Sequence, residues 1–254
     1  MKCNIFIKSI VLFIALFVVL TVNAQSSIKD SIISMGIVSV NAGFQIPGGD
    51  LADRFGNSSS IGGAYEYKNQ NNWTYSLEGG FIFGQKVKIP VAIDIRTSSG
   101  EILDDEGAFV DLLLLQRGFL INAAMAKTLP IIGPNPNSGL HLKLGVGLLQ
   151  HKILLETRKN EVNVLEGDFR KGYDRLTNGL MLQQFVGYRH LSNNKRINFT
   201  VGFEVIEGFT QSRRDFNFDL GKKDDQKRVD LLIGLKASWS ILIFKPAPNA
   251  IYYN

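Results

Sequence analysis

Few side chains in this sequence could do acid–base or nucleophilic chemistry. Its three histidines are His141, His151 and His190. A lipid-modifying or acyl-transfer site needs a nucleophile beside a base that a third group orients. His151 is the one candidate base, and no serine is tied to it by spacing. His141 and His190 lie near the opposite end of their strands and read as hydrogen-bonded lumen or rim residues. Asp104-Asp105-Glu106-Gly107 lacks the alternating ligand spacing of a calcium loop, so it reads as a solvated acidic turn. Cys3 is the only cysteine and precedes an apolar run. The mature chain therefore has no disulfide framework and no cysteine-type zinc site. No catalytic residue, metal site or cofactor is expected, and the chain is read as a non-enzyme.

The charges are more informative. Glu66, Glu78, Glu204 and Asp230 fall on the same alternating face as Lys143, Arg189 and Lys236, with His141 and Asn122 nearby. Their neighbours on the other face are apolar. Unpaired charges on an enclosed face are very costly, so these should pair across a lumen. Glu78 and Glu204 are expected against Lys236 or Arg189.

The elements that position them alternate with a period of two, which marks β-strands. In 34–46, Val38, Val40, Ala42, Phe44 and Ile46 share one face, and Ser39, Asn41, Gly43 and Gln45 the other. The pattern recurs at 61–68, 73–83, about 117–128, about 139–153, 179–191, 196–209 and 229–244. Connections after the first, third, fifth and seventh strands (47–60, 84–116, 154–178, 210–228) are long. The other three are short. This asymmetry is that of an outer-membrane barrel, with short periplasmic turns and long outer loops. The expected fold is an all-β, eight-stranded, antiparallel, up-and-down transmembrane β-barrel with long extracellular loops. A closed barrel is the only sheet that crosses a bilayer with every backbone group paired. Outward Tyr67, Trp73, Tyr75, Tyr188, Phe199 and Trp239 lie toward the short turns and suit an aromatic girdle.

Residues 1–24 read as a secretory signal: Lys2 and Lys8, an apolar run from Ile10 to Val22, then Val22-Asn23-Ala24 as the cleavage site. That run is shorter than the roughly 18–20 residues a spanning helix needs. Residues 25–244 form the barrel and 245–254 a short periplasmic tail. Tyr252 and Tyr253 in this tail are candidates for a partner contact. Charged residues make up 20% of the chain and the net charge is +5. The basic residues are spread among carboxylates, which argues against nucleic acid. Arg213-Arg214 and Lys222 to Arg228 are placed to meet lipopolysaccharide or simply to solvate a loop.

The chain resembles the small outer-membrane β-barrel proteins of Bacteroidota. The residues that carry the likeness are Pro47-Gly48-Gly49-Asp50-Leu51-Ala52-Asp53-Arg54-Phe55-Gly56, Lys171-Gly172-Tyr173-Asp174-Arg175-Leu176-Thr177-Asn178-Gly179, and the strand from Trp73 to Gly84. Gln25 after the cleavage site is similar too. The resemblance implies a structural or accessory role in an envelope complex, with type IX secretion and gliding machinery as a candidate setting. The expected partners are outer-membrane lipid, lipopolysaccharide and envelope proteins. An eight-stranded barrel is only wide enough for its own side chains, so the lumen should be plugged. The alternatives are a narrow ion or small-solute channel and, behind it, a lipid-modifying enzyme.

Overall fold

The computed structural model describes residues 28–157, 162, 165, 167 and 169–244. The leader 1–24 and the tail 245–254, with Tyr252 and Tyr253, lie outside the described residues.

The chain runs β1 (Met35–Gly49), α1 (Asp50–Arg54), β2 (Ser58–Lys68), β3 (Trp73–Gly84), β4 (Ile102–Leu103), β5 (Phe109–Val110), β6 (Leu112–Leu129), β7 (Gly139–Thr157), β8 (Thr177–Leu191), β9 (Asn198–Ser212) and β10 (Lys227–Ile243). All strands but β4 and β5 form one closed antiparallel barrel of eight, in the order β1-β10-β9-β8-β7-β6-β3-β2. Each strand pairs with its chain neighbours, and β1 closes on β10 from Gly36↔Ile243 to Gly49↔Asp230. Closure leaves no edge strand whose backbone must find water.

The polarity of the barrel is inverted relative to a water-soluble one. Val40, Phe44 and Ile46 on β1 are exposed, while Ser39, Asn41 and Gln45 between them are buried. The same holds for Ile61, Tyr65, Leu77, Phe81, Ile121, Leu144, Val146, Leu180, Phe203, Ile233, Leu235 and Trp239, all outward and exposed. Gln184 and Glu207 interrupt this belt and hydrogen-bond to each other at 3.4 Å.

Several boundaries differ from the periodicity. The fourth barrel strand begins at Leu112, not near 117, and the fifth extends to Thr157. Both faces are apolar in Leu112–Leu115, which hides the alternation. They pair there with Leu154–Thr157 above the rest of the sheet. The first strand continues through Pro47 to Gly49, residues expected to turn. Pro47 pairs only toward β10, because β2 begins opposite Gln45, and proline is tolerated at such a locally free edge. With β2 starting at Ser58, the connection after β1 is short, Asp50 to Asn57, and not one of the long ones. Within that connection α1 is entered through Gly49 at φ 56°. A Cβ there would lie 2.4 Å from the Val229 carbonyl, so only glycine lets the chain fold back over the barrel mouth. The segment 84–116 is not structureless: β4 and β5 pair as a small hairpin within it.

Candidate functional site

The lumen is built in layers, because every second residue of each strand points inward. At the short-turn end, Arg189 Nη2 meets Glu66 Oε2 at 2.5 Å, and its Nε donates to Thr200 Oγ1 at 3.2 Å. Both charged partners are buried. Beside them His141 Nδ1 lies 3.0 Å from Thr128 Oγ1.

The next layer joins six strands. Glu78 on β3 is bound by Lys143 of β7 and, at 3.0 Å, by Lys236 of β10. Lys236 Nζ also donates to Glu204 of β9 at 2.7 Å. Gln183 Nε2 of β8 donates to Glu204 Oε1 at 2.7 Å and to Glu78 Oε2 at 3.3 Å. Asn122 Nδ2 of β6 then donates to Gln183 Oε1 at 2.7 Å. The network crosses the lumen and balances two carboxylates against two ammonium groups, which is the condition for burying charge at tolerable cost.

An apolar layer follows: Ile82, Leu120, Leu149, Met181, Ile206 and Leu232 are all buried in one cluster. Above it sits a second polar group. Asp230 accepts from Thr210 Oγ1 at 2.6 Å and lies 2.8 Å from His151 Nε2. Its other oxygen takes Arg54 Nη2, which reaches in from α1. Phe55 packs edge-on against the His151 ring at 5.5 Å.

Connecting segments pack at both ends of the barrel. At the loop end, Leu51, Phe55, Val91, Ile102, Val110 and Tyr173 extend the apolar cluster upward. Polar stitches hold the loops together. Tyr173 Oη donates to Asp94 at 2.8 Å, Arg175 to Asp219 at 3.1 Å, and Asp219 accepts from the Ile93 amide at 3.1 Å. Burial and the Asp94 carboxylate push the Tyr173 phenol above its usual range. The Asp174 carboxylate raises Arg214 further, through paired hydrogen bonds at its guanidinium. At the short-turn end, Asn137 grips the segment before β1. Its Nδ2 donates to the Ile28 and Ser31 carbonyls at 3.1 and 2.8 Å. Its Oδ1 accepts from the Ile33 amide at 3.1 Å and Lys68 Nζ at 2.8 Å. Ile28 is thereby packed against Met35, Ile37 and Leu191.

The six charges expected in the lumen, Glu66, Glu78, Lys143, Arg189, Glu204 and Lys236, are all buried there. Their pairing differs in one respect: Arg189 belongs to Glu66, not to Glu78 or Glu204. His151 is not an exposed base at the rim but an inward ring locked onto Asp230. His190 is not in the lumen. It faces outward and stacks on Phe199 with ring centroids 5.0 Å apart. The aromatics Tyr67, Tyr75, Phe199 and Trp239 are exposed outward, and Trp73 and Tyr188 are partly covered. Lys127 lies over the Trp73 ring at 5.0 Å. Sequence reasoning missed Gln183, Thr210, Arg54, Asn137 and Lys68. The first two were available, since Gln183 alternates in phase with Arg189 on β8 and Thr210 with Glu204 on β9. The other three were not. Arg54 and Asn137 sit on connections, and Lys68 is read at a strand end.

No family model and no curated protein matches this chain. Among solved structures it is similar to the attachment invasion locus protein Ail of Yersinia pestis. That holds with and without the heparin analogue sucrose octasulfate bound to Ail. The identity is 14% and the TM-score 0.36, over 82% of this chain and up to 99% of that one. It is also similar to the TodX monoaromatic hydrocarbon channel, at 8% identity and TM-score 0.25, over 84% and 90%. What the chain's own geometry establishes is an all-β, eight-stranded antiparallel barrel with a charged interior and an apolar exterior.

Proposed function

We propose that this chain is an integral outer-membrane β-barrel with a plugged lumen, acting as a structural or accessory subunit of a cell-envelope complex. The observation that carries the reading is the inverted polarity: large apolar side chains exposed around the belt, ion pairs enclosed within. Water would not tolerate such an exterior, and lipid requires it. Tyr67, Trp73, Tyr75, Tyr188, Phe199 and Trp239 then sit at one lipid interface, where amphipathic rings are most stable. The long loops lie outside the cell and the short turns face the periplasm.

A lumen of this strand number has room for its own side chains and little else. The layered ion pairs and the segments packed at both ends support closure. A non-enzymatic role fits as well, because the candidate base His151 is buried, held by Asp230 and packed against the Phe55 ring. A setting in type IX secretion rests on the resemblance to small Bacteroidota barrels alone. Tyr252 and Tyr253, between prolines and the chain end, are the residues offered to a periplasmic partner.

Purified protein in planar bilayers should give no stable conductance, and reproducible channels in the wild type would overturn closure. Pull-down from native membranes should recover envelope proteins. Deleting residues 246–254 should leave heat-modifiable barrel in the outer membrane and remove those partners.

A further inference from the structure

The outer face of the barrel is not uniform at its loop end. A single row crosses five strands in register: Phe44↔Ser59, Ser59↔Phe83, Phe83↔Arg117 and Arg117↔Lys152. Ser59 is the small member between two phenyl rings. The gap it leaves is the floor of a surface trough of about 550 Å³, which Ile46, Lys86 and Lys88 also line. Phe44 and Ile46 are 50% and 56% exposed.

The trough is apolar along the barrel wall and cationic at its upper rim. The Lys86 stem packs over Gly56, so near that a Cβ there would lie 2.8 Å from it, and the residue stays exposed. Lys88 Nζ donates to the Ala52 carbonyl at 2.6 Å and is exposed as well. The Arg117 guanidinium reaches the Gly84 carbonyl, which borders the trough, at 3.5 Å. The neighbouring carboxylates are on α1. Asp50 is engaged by the Val229 amide at 2.6 Å, and Asp53 is exposed. Three cations thus stand against the two carboxylates of α1, one of which already accepts from the Val229 amide.

We propose that this trough is a specific binding site for a phosphorylated lipid of the outer leaflet. One acyl chain lies in the gap over Ser59, between Phe44 and Phe83, and the phosphate is held by Lys86, Lys88 and Arg117. The chemistry asks for both halves of such a molecule. Lysine and arginine bind phosphate through charge-assisted hydrogen bonds, and lysine stems can run along apolar surface while their heads reach the polar layer. A free phosphate would use the cations and leave the apolar gap empty. The inference rests on the reading of the chain as a membrane barrel, since only then does the loop end of the belt meet lipid headgroups.

The test is native mass spectrometry of the full-length barrel, folded in detergent, with phosphatidic acid or phosphatidylcholine of matched chains. Phosphatidic acid should be retained about tenfold better, the size expected for one or two charge-assisted contacts. K86Q/K88Q should lose that preference, and K86R/K88R should keep it. Ser59→Phe fills the gap without touching charge and should weaken retention of phosphatidic acid about as much. Inorganic phosphate should not compete. Equal retention of the two lipids, or wild-type retention in both K86Q/K88Q and Ser59→Phe, would overturn the site. So would displacement of the lipid by inorganic phosphate. Insertion of the same preparation into vesicles, read by heat-modifiable mobility, separates the two levels. If the chain does not insert, the membrane reading and this one fall together. If it inserts but shows no lipid preference, only this one falls.

Discussion

The polar layers on either side of the lumen's apolar layer are built on different plans. The lower one, Glu78 with Lys143, Lys236, Glu204, Gln183 and Asn122, comes entirely from barrel strands. The upper one centres on Asp230, and its cation, Arg54, is delivered by α1 from a connection. The lower layer is therefore as rigid as the sheet register. The upper one depends on whether α1 stays docked on β10 and β1. Nature has placed the larger share of enclosed charge where the backbone ladder holds it, and has used a loop-borne side chain nearer the surface. Charge that must stay paired is safest on elements whose positions cannot drift independently.

The largest effect should follow from removing the hub of the lower layer. Glu78→Ala leaves Lys143 without its carboxylate and Lys236 with Glu204 alone. Breaking a buried pair in this way costs about 3–5 kcal/mol. Urea unfolding in detergent should show the loss, and Glu78→Gln, which keeps the shape and some hydrogen bonds, should recover part of it. A Glu78→Ala barrel as stable as wild type would break the distinction between the layers.

Arg54→Ala should cost less, about 1.5–3 kcal/mol for a hydrogen bond to a charged group. Asp230 keeps His151 and Thr210, and the loop end can admit water. The effect should be local: hydrogen exchange should rise in residues 50–57 and at the loop end of β10, with the lower layer unchanged. Uniform loosening of the whole barrel would mean that the upper layer is as integral as the lower.

Asn137→Ala tests the opposite mouth, where one side chain makes four hydrogen bonds to the segment before β1 and to Lys68. The expected loss is about 1–3 kcal/mol, accompanied by faster proteolysis near Ile28–Ile33 in the folded protein. Conductance in this variant, absent in the wild type, would identify the segment as the lower seal.

The smallest effect concerns Tyr173 in the loop cap. Its phenol is held above the usual range by burial and by Asp94. The neutral form is favoured in the folded chain. The associated stability is thus complete below the ordinary phenol value of about 10 and is lost as pH rises through the higher folded value. Tyrosinate absorbance of the wild type minus Tyr173→Phe should show one phenol that ionises later than the rest. The substitution itself should cost about 1 kcal/mol.

Much of this molecule could be read from the order of its residues. Alternation alone assigns Ser39, Asn41, Glu66, Glu78, Lys143, Arg189, Glu204, Asp230 and Lys236 to one face of the strands, because successive side chains in a strand must point opposite ways. The same rule places Phe44, Phe81, Leu144, Phe203 and Trp239 outside. Turn residues such as Asn69-Gln70-Asn71-Asn72 separate the strands by local chemistry. Strand number and the inside-out polarity follow from such short-range patterns.

What the order of residues left open was decided by register and by the loops. Which carboxylate meets which cation depends on the stagger between strands distant in sequence. Glu66 and Arg189 are neither on neighbouring strands nor at matched positions. The hairpin of β4 and β5, the docking of α1 through Gly49, and the entry of Arg54 beside Asp230 have no periodic signature. They arise because the barrel mouth offers apolar surface and a buried carboxylate that something must cover. The trough over Ser59 is of the same kind. Phe44, Ser59, Phe83, Arg117 and Lys152 are scattered through the chain, and only the closed, registered sheet brings them into one row. Local patterning settles which way a side chain points, and long-range pairing settles what it meets.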